Sequence, residues 1–153
     1  MAFGTHQNAF TSFDQTTYML SHPDTKTETI QKALLFLTDV AWRLTLAPEE
    51  VEKERAVILE EARAREGVGM RVMKKALSLV LPGARLAKRL PIGDLDVVRN
   101  APPELLRAYY ETWYRPERAT LVVVGDLESK PVEELVRTAF GGWKAKGPKP
   151  EGV

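Results

Sequence analysis

The sequence predicts an α+β domain, an antiparallel-rich sheet with helices packed on one face. Three observations predict it. Residues 7–22 are rich in Thr, Phe and Tyr, a strand composition. Ala119-Thr-Leu-Val-Val-Val-Gly125 is a short β-branched run. The segments around them carry apolar residues at helical spacing, and the resulting order, β-β-α-α-α-α-β-α, does not alternate as a wound parallel sheet would. A chain of 153 residues fits one such domain.

The elements follow in order. Two strands, about Gln7–Ser12 and Thr16–Ser21, are expected around a short turn, with one bent strand as the alternative. His22-Pro23-Asp24 breaks the extended chain, and Thr25-Lys-Thr-Glu28 has the form of a capping box. Ile30, Leu34, Leu37, Ala41 and Leu44 then give a helix from about Thr27 to Leu44. Pro48 followed by two acids suits a second helix start. Its buried side is read as Val51, Ala56, Val57 or Ile58, and Ala62, with Arg55 among the surface charges. Gly67 and Gly69 interrupt it, and a third helix runs from about Met70 to Leu81, before Pro82-Gly83. Residues 82–93 read as an irregular connection, with a short helix near Asp94–Arg99. Pro102-Pro103-Glu104 opens a helix that ends near Arg115-Pro116. After the Ala119–Gly125 run, expected as a buried strand, Pro131–Phe140 is the last helix. The domain is thus 1–143, and Lys144–Val153, with two Pro and two Gly among polar residues, reads as a linker-like tail.

Composition excludes several classes. Lys and Arg number 22 against 21 Asp and Glu, so no long-range field draws the chain to nucleic acid. The absence of Cys removes disulfides, thiolate metal sites and Cys nucleophiles. No apolar run is long enough to insert across a membrane. Met-Ala-Phe-Gly-Thr-His has no signal-peptide pattern, so the chain is cytosolic or its targeting segment is missing from it.

Few residues remain for chemistry. Glu54 and Glu61 stand seven apart, two helical turns, and so share one helix face from which two carboxylates can turn toward one cation. The plainer reading is a solvated face with i,i+4 ion pairs such as Glu61 with Arg65. Asn8-Ala9-Phe10 lies on a strand that can pair with an extended peptide, or is ordinary sheet. The only two histidines, His6 and His22, sit on separate segments without helical spacing. Trp42, Trp113 and Trp143 read as core or rim.

In this order, Met1-Ala-Phe3, Asn8-Ala-Phe-Thr-Ser12, Pro48-Glu-Glu-Val-Glu-Lys-Glu-Arg55, Val57-Ile-Leu-Glu-Glu61, Pro91-Ile-Gly93, Tyr110-Glu-Thr-Trp-Tyr-Arg-Pro116 and Val122-Val-Val-Gly-Asp126 carry a resemblance. The chain resembles the insulinase/pitrilysin family of zinc metallopeptidases, which includes the mitochondrial processing peptidase. Its bacterial subgroup with N-A-Y-T-S-F-D-E-T-like strands is nearest. The resemblance implies an incomplete metallopeptidase-like domain of the inverzincin kind, whose intact relatives hydrolyse peptide bonds with zinc-activated water. It implies Glu61 as the distal zinc ligand and Glu54 as an acidic residue behind the metal. Asn8, Ala9 and Phe10 become the edge that pairs with a peptide or unfolded protein substrate. The family's H-x-x-E-H motif, which holds two His ligands and the general-base Glu, does not occur in these residues. In relatives it immediately precedes the segment that is Met1-Ala-Phe3 here, and a further helix separates that segment from the N-A-Y-T-S strand.

The expectation is therefore an N-terminally truncated piece of a zinc metalloendopeptidase, inactive alone, with zinc binding belonging to intact relatives. The alternative is a non-catalytic homologue that works as a binding or partner subunit in a homo- or hetero-oligomer. An unrelated α+β binding module with a merely acidic helix is the third reading. Relatives in the bacterial subgroup are often periplasmic or exported.

Overall fold

The computed structural model describes residues 6–150. Met1-Ala-Phe3 and the last three residues of the tail lie outside them. Strands β1 (His6–Thr11) and β2 (Thr16–Ser21) pair as a two-stranded sheet. Ser12 N–H donates to Gln15 O at 2.8 Å and closes the turn over Phe13-Asp14. The Thr11 and Thr16 hydroxyls meet across the pair at 3.2 Å. Among the described residues six helices follow: α1 (Thr27–Trp42), α2 (Pro48–Arg65), α3 (Val68–Val80), α4 (Leu95–Asn100), α5 (Pro103–Trp113) and α6 (Ser129–Phe140). Single 3-10 turns lie at Arg85–Ala87 and Pro116–Arg118. The α+β class and the paired N-terminal strands are as the sequence predicts.

The chain forms two compact units. One holds the chain up to Ala9, Tyr18–Thr45 and the chain from Leu106 onward. Here α1 packs on α6. Leu34 and Thr38, one turn apart on α1, are buried, as are Tyr110 and Arg115. The Thr38 hydroxyl donates back to Leu35 O at 2.7 Å, so its burial leaves no unmet donor. The Tyr110 hydroxyl donates to Val40 O at 2.7 Å and accepts from Leu44 N–H at 3.4 Å, serving two backbone groups at the C-terminus of α1. Trp42 stacks on Trp143 at 5.4 Å between ring centroids, with Phe140 edge-on at 5.7 Å.

The other unit holds Phe10–Thr17 and Leu46–Leu105. In it α2 packs on α4, and α3 on the 3-10 turn that follows it. The Asp94 carboxylate caps α4 by accepting from Asp96 N–H at 2.8 Å and Val97 N–H at 3.4 Å. Gly93, at φ +86°, supplies the left-handed residue that turns the chain into this cap.

Four local expectations are corrected. The Ala119–Gly125 run is not a strand, and Leu121 to Val124 are exposed. A strand is stable only when its backbone groups find a neighbour, and among the described residues no segment pairs with it. The capping box does not form: Lys26 is the N-cap of α1 without a side-chain bond, and Asp24 accepts the Lys26 N–H at 3.1 Å instead. Hydrogen bonding from Thr29 first, then from Lys26, holds the Asp24 carboxyl below the ordinary range. Helix α1 ends at Trp42, leaving Leu44 exposed beyond it. On α2 the covered stripe is Val51, Arg55, Ile58, Leu59 and Ala62, while Ala56 and Val57 face solvent.

Candidate functional site

The α2 helix starts at Pro48, whose missing N–H costs nothing in the first turn, with Glu49 and Glu50 favourable at the positive end of the helix dipole. Arg63 and Arg65 occupy its last turn, where cations suit the negative end. This helix carries Glu54 and Glu61 on one face, about 10 Å apart along the axis at the usual rise. Both are exposed. The Glu61 carboxylate forms an ion pair with Arg65 at 2.5 Å, the i,i+4 pair that its spacing allows. Glu54 makes no ion pair among the described residues. An exposed ion pair of this kind contributes about 0–1 kcal/mol, so Arg65 is a weak competitor for any stronger cation at Glu61.

Arg55, between them in sequence, points the other way. Its side chain is only 12% exposed and donates to Val98 O and, at 2.7 Å, to Ala101 O. Glu52 pairs with it at 2.9 Å. Arg55 therefore fixes α2 against the end of α4, and with it the direction in which the Glu54 and Glu61 face looks. Residue type alone places Arg55 on the surface. Its position in the apolar stripe, four residues after Val51 and three before Ile58, is the signal that finds it.

Asn8, Ala9 and Phe10 are exposed, like every residue of β1. Because Ser12 and Gln15 form a hydrogen-bonded pair, alternation along the hairpin turns the Ala9 backbone groups away from β2. The Ala9 N–H is taken by its own neighbour, donating to Asn8 Oδ1 at 2.9 Å. Among the described residues that edge pairs with no further strand, and one local side chain holds it. Phe10 belongs to the same compact unit as Glu54 and Glu61, and Asn8 and Ala9 belong to the other.

His6 opens β1 and is exposed, whereas His22 is half-buried with Nε2 covered and without a hydrogen-bond partner among the described residues. A zinc ion in a catalytic site takes three protein ligands and a water. Among the described residues no three His, Asp or Glu side chains gather round one point.

Comparison with known proteins shows the family. Residues 1–79 match the family described as insulinase (peptidase family M16), and residues 100–153 match the peptidase M16 inactive domain. The chain is 35% identical to the probable zinc protease PqqL of Escherichia coli over 137 residues, 90% of this chain and 15% of that protein. It superposes on the crystal structure of the first half of the E. coli periplasmic protease PqqL with a TM-score of 0.89 and 33% identity, covering 99% of this chain and 32% of that one. The ferredoxin protease FusC, crystallised with Arabidopsis ferredoxin, matches with a TM-score of 0.90 and 25% identity, over 98% of this chain and 16% of that one. The chain thus spans about a seventh of the length of the zinc protease that it matches. A family match over more than half of its residues, together with folds of this similarity, makes the chain a member of the insulinase family of peptidases.

Proposed function

We propose that this chain supplies the Glu61-bearing helix and the substrate-pairing strand of an insulinase-type zinc metalloendopeptidase, and that the 153-residue chain alone does not hydrolyse peptides. One observation carries the reading: within the residues that match the peptidase family, α2 presents Glu61 and Glu54 together on an exposed face. In this role the Glu61 carboxylate leaves Arg65 and binds zinc beside ligands that these residues do not contain. Zinc, when bound, supplies an activated water as nucleophile. Glu54 acts on that centre through orientation and charge. Asn8 releases the Ala9 N–H, and the β1 edge takes an extended peptide by backbone pairing, which favours unfolded over folded substrate. A periplasmic location, that of the E. coli PqqL protease, belongs to the same proposal.

Zinc content after purification without chelator, followed by cleavage of an unstructured peptide with added zinc, tests this. The expected result is no turnover by the isolated chain. Zinc-dependent turnover that disappears in Glu61→Gln contradicts the inactivity of the chain while keeping the ligand.

A second reading is favoured by the match of residues 100–153 to the family's inactive domain. The chain is then a non-catalytic homologue that acts by binding. A defined hetero-assembly in light scattering, with no zinc at Glu61, distinguishes it from the first.

A further inference from the structure

The tail from Trp143 onward has the composition of a free linker, yet it is tied down at three levels. Trp143 stacks on Trp42. Lys146 Nζ donates to Glu111 Oε1 at 2.8 Å. Arg115, in the Trp-Tyr-Arg-Pro segment, reaches the tail backbone. Its side chain is 5% exposed. Nη1 donates to Lys146 O at 2.8 Å and to Pro148 O at 3.3 Å, and Nη2 to Gly147 O at 3.5 Å. Nε donates to Glu117 Oε1 at 2.6 Å. Three successive carbonyls converge on one guanidinium because Gly147 sits at φ +66°, where a side chain is strained.

The chemistry runs in both directions. A buried guanidinium has five N–H donors and cannot lose its charge. Glu117 answers that charge, and its carboxyl lies below the ordinary range, with the Arg115 hydrogen bond as the first cause. One carboxylate cannot serve the remaining donors, and the tail carbonyls do. Lifting the tail therefore leaves a buried cation short of acceptors, which is costly. Between tail and helices, Trp42, Tyr110, Tyr114 and Trp143 line a cavity of about 40 Å³.

We propose that Arg115 is a clasp that holds residues 146–148 as a docked strap, so that the tail leaves α6 along a fixed path instead of as a free linker. Arg115 is a positioning residue in this role. The required specificity is for three adjacent carbonyls, which a lysine ammonium at the same place does not reproduce.

Trypsin cleavage at Lys146–Gly147, followed by mass spectrometry beside a thermal melt, tests it. In the intact chain this bond is expected to be cut at least about tenfold more slowly than in a free peptide of residues 144–150. Arg115→Ala raises the rate toward that of the peptide. Arg115→Lys keeps the cation beside Glu117 but reaches fewer tail carbonyls, so it recovers part of the melting midpoint and little of the protection. Gly147→Ala has no neighbour within 4 Å of the added Cβ, so it perturbs only the turn. It is expected to raise cleavage with a midpoint lowered by less than in Arg115→Ala, since the guanidinium still meets Glu117. Should Arg115→Ala fail to fold, the last two variants decide. Cleavage of the intact chain at the peptide's rate, or protection undiminished in both Arg115→Lys and Gly147→Ala, overturns the clasp.

Discussion

The Arg55 guanidinium donates to the backbone carbonyl of Ala101 at 2.7 Å, and to that of Val98 beside it. These carbonyls belong to the last turn and C-cap of α4, where helical partners run out. One charged side chain from α2 thus closes another helix. Arg55→Ala is expected to lower stability by about 2–3 kcal/mol, since it strands two partly buried acceptors. Arg55→Lys should recover only part of this, because one ammonium lacks the fork. Urea titration of the three proteins measures it, and a loss below about 0.5 kcal/mol in Arg55→Ala contradicts the assignment.

The tyrosines of the first unit predict an alkaline limit. Tyr114 meets Tyr18 hydroxyl to hydroxyl at 2.7 Å. Burial is the first cause that raises the phenols of both Tyr110 and Tyr114 above the ordinary 10.0. A raised folded value means that the folded state holds its proton more tightly than the unfolded state. The stability from this source is therefore complete below pH 10.0 and is lost as pH rises from there through the folded values. The melting midpoint should be flat near about pH 8 and fall above about pH 10. Tyr114→Phe should cost about 1 kcal/mol at neutral pH and reduce the alkaline fall. An alkaline fall unchanged in Tyr114→Phe removes Tyr114 as its source.

Exposed valines predict association. Val122 is 74% exposed and Val124 90%, within an uncharged run of strand-forming residues. Runs of this kind seek backbone partners. Sedimentation of the isolated chain should show self-association that grows with concentration, and Val122→Lys with Val124→Lys should suppress it. A monodisperse monomer at high concentration runs against this expectation.

Glu54 carries a graded prediction. Within a complete zinc-loaded protein, Glu54→Gln should weaken metal affinity or activity by about 10–100-fold, the usual cost of losing an outer partner of a zinc site. Its exposed position predicts a stability change within about 0.5 kcal/mol. A zinc titration beside a thermal melt separates the two effects, and wild-type zinc affinity in the variant removes Glu54 from the site.

Much of the secondary structure is legible in the sequence because its causes are local. Pro48 and the acids after it mark the start of α2, and Gly67 lies just past its end. Phe13-Asp14 marks the hairpin turn. What fails depends on distant partners. The composition of Val122-Val-Val124 is that of a strand, but pairing is a non-local property that composition does not hold. Charge alone makes Arg55 and Arg115 surface residues or motif letters, although both side chains are covered and bound to backbone carbonyls that no spacing rule reveals. For the candidate site, helical geometry places Glu54 and Glu61 on one face from sequence alone. Their roles at a metal come from family resemblance, because seven-residue spacing of acids is equally that of a solvated helix.

In the proposed role α2 presents a zinc-binding carboxylate at Glu61. The most direct measurement replaces the matching segment of the E. coli PqqL protease with residues 6–150 of this chain and determines zinc per molecule with and without Glu61→Gln. A zinc-binding Glu61 predicts a zinc-loaded, peptide-cleaving hybrid that loses both metal and turnover in Glu61→Gln while its melting midpoint, measured without metal, stays within about 2 °C. A hybrid that keeps zinc and activity equally well after Glu61→Gln contradicts it.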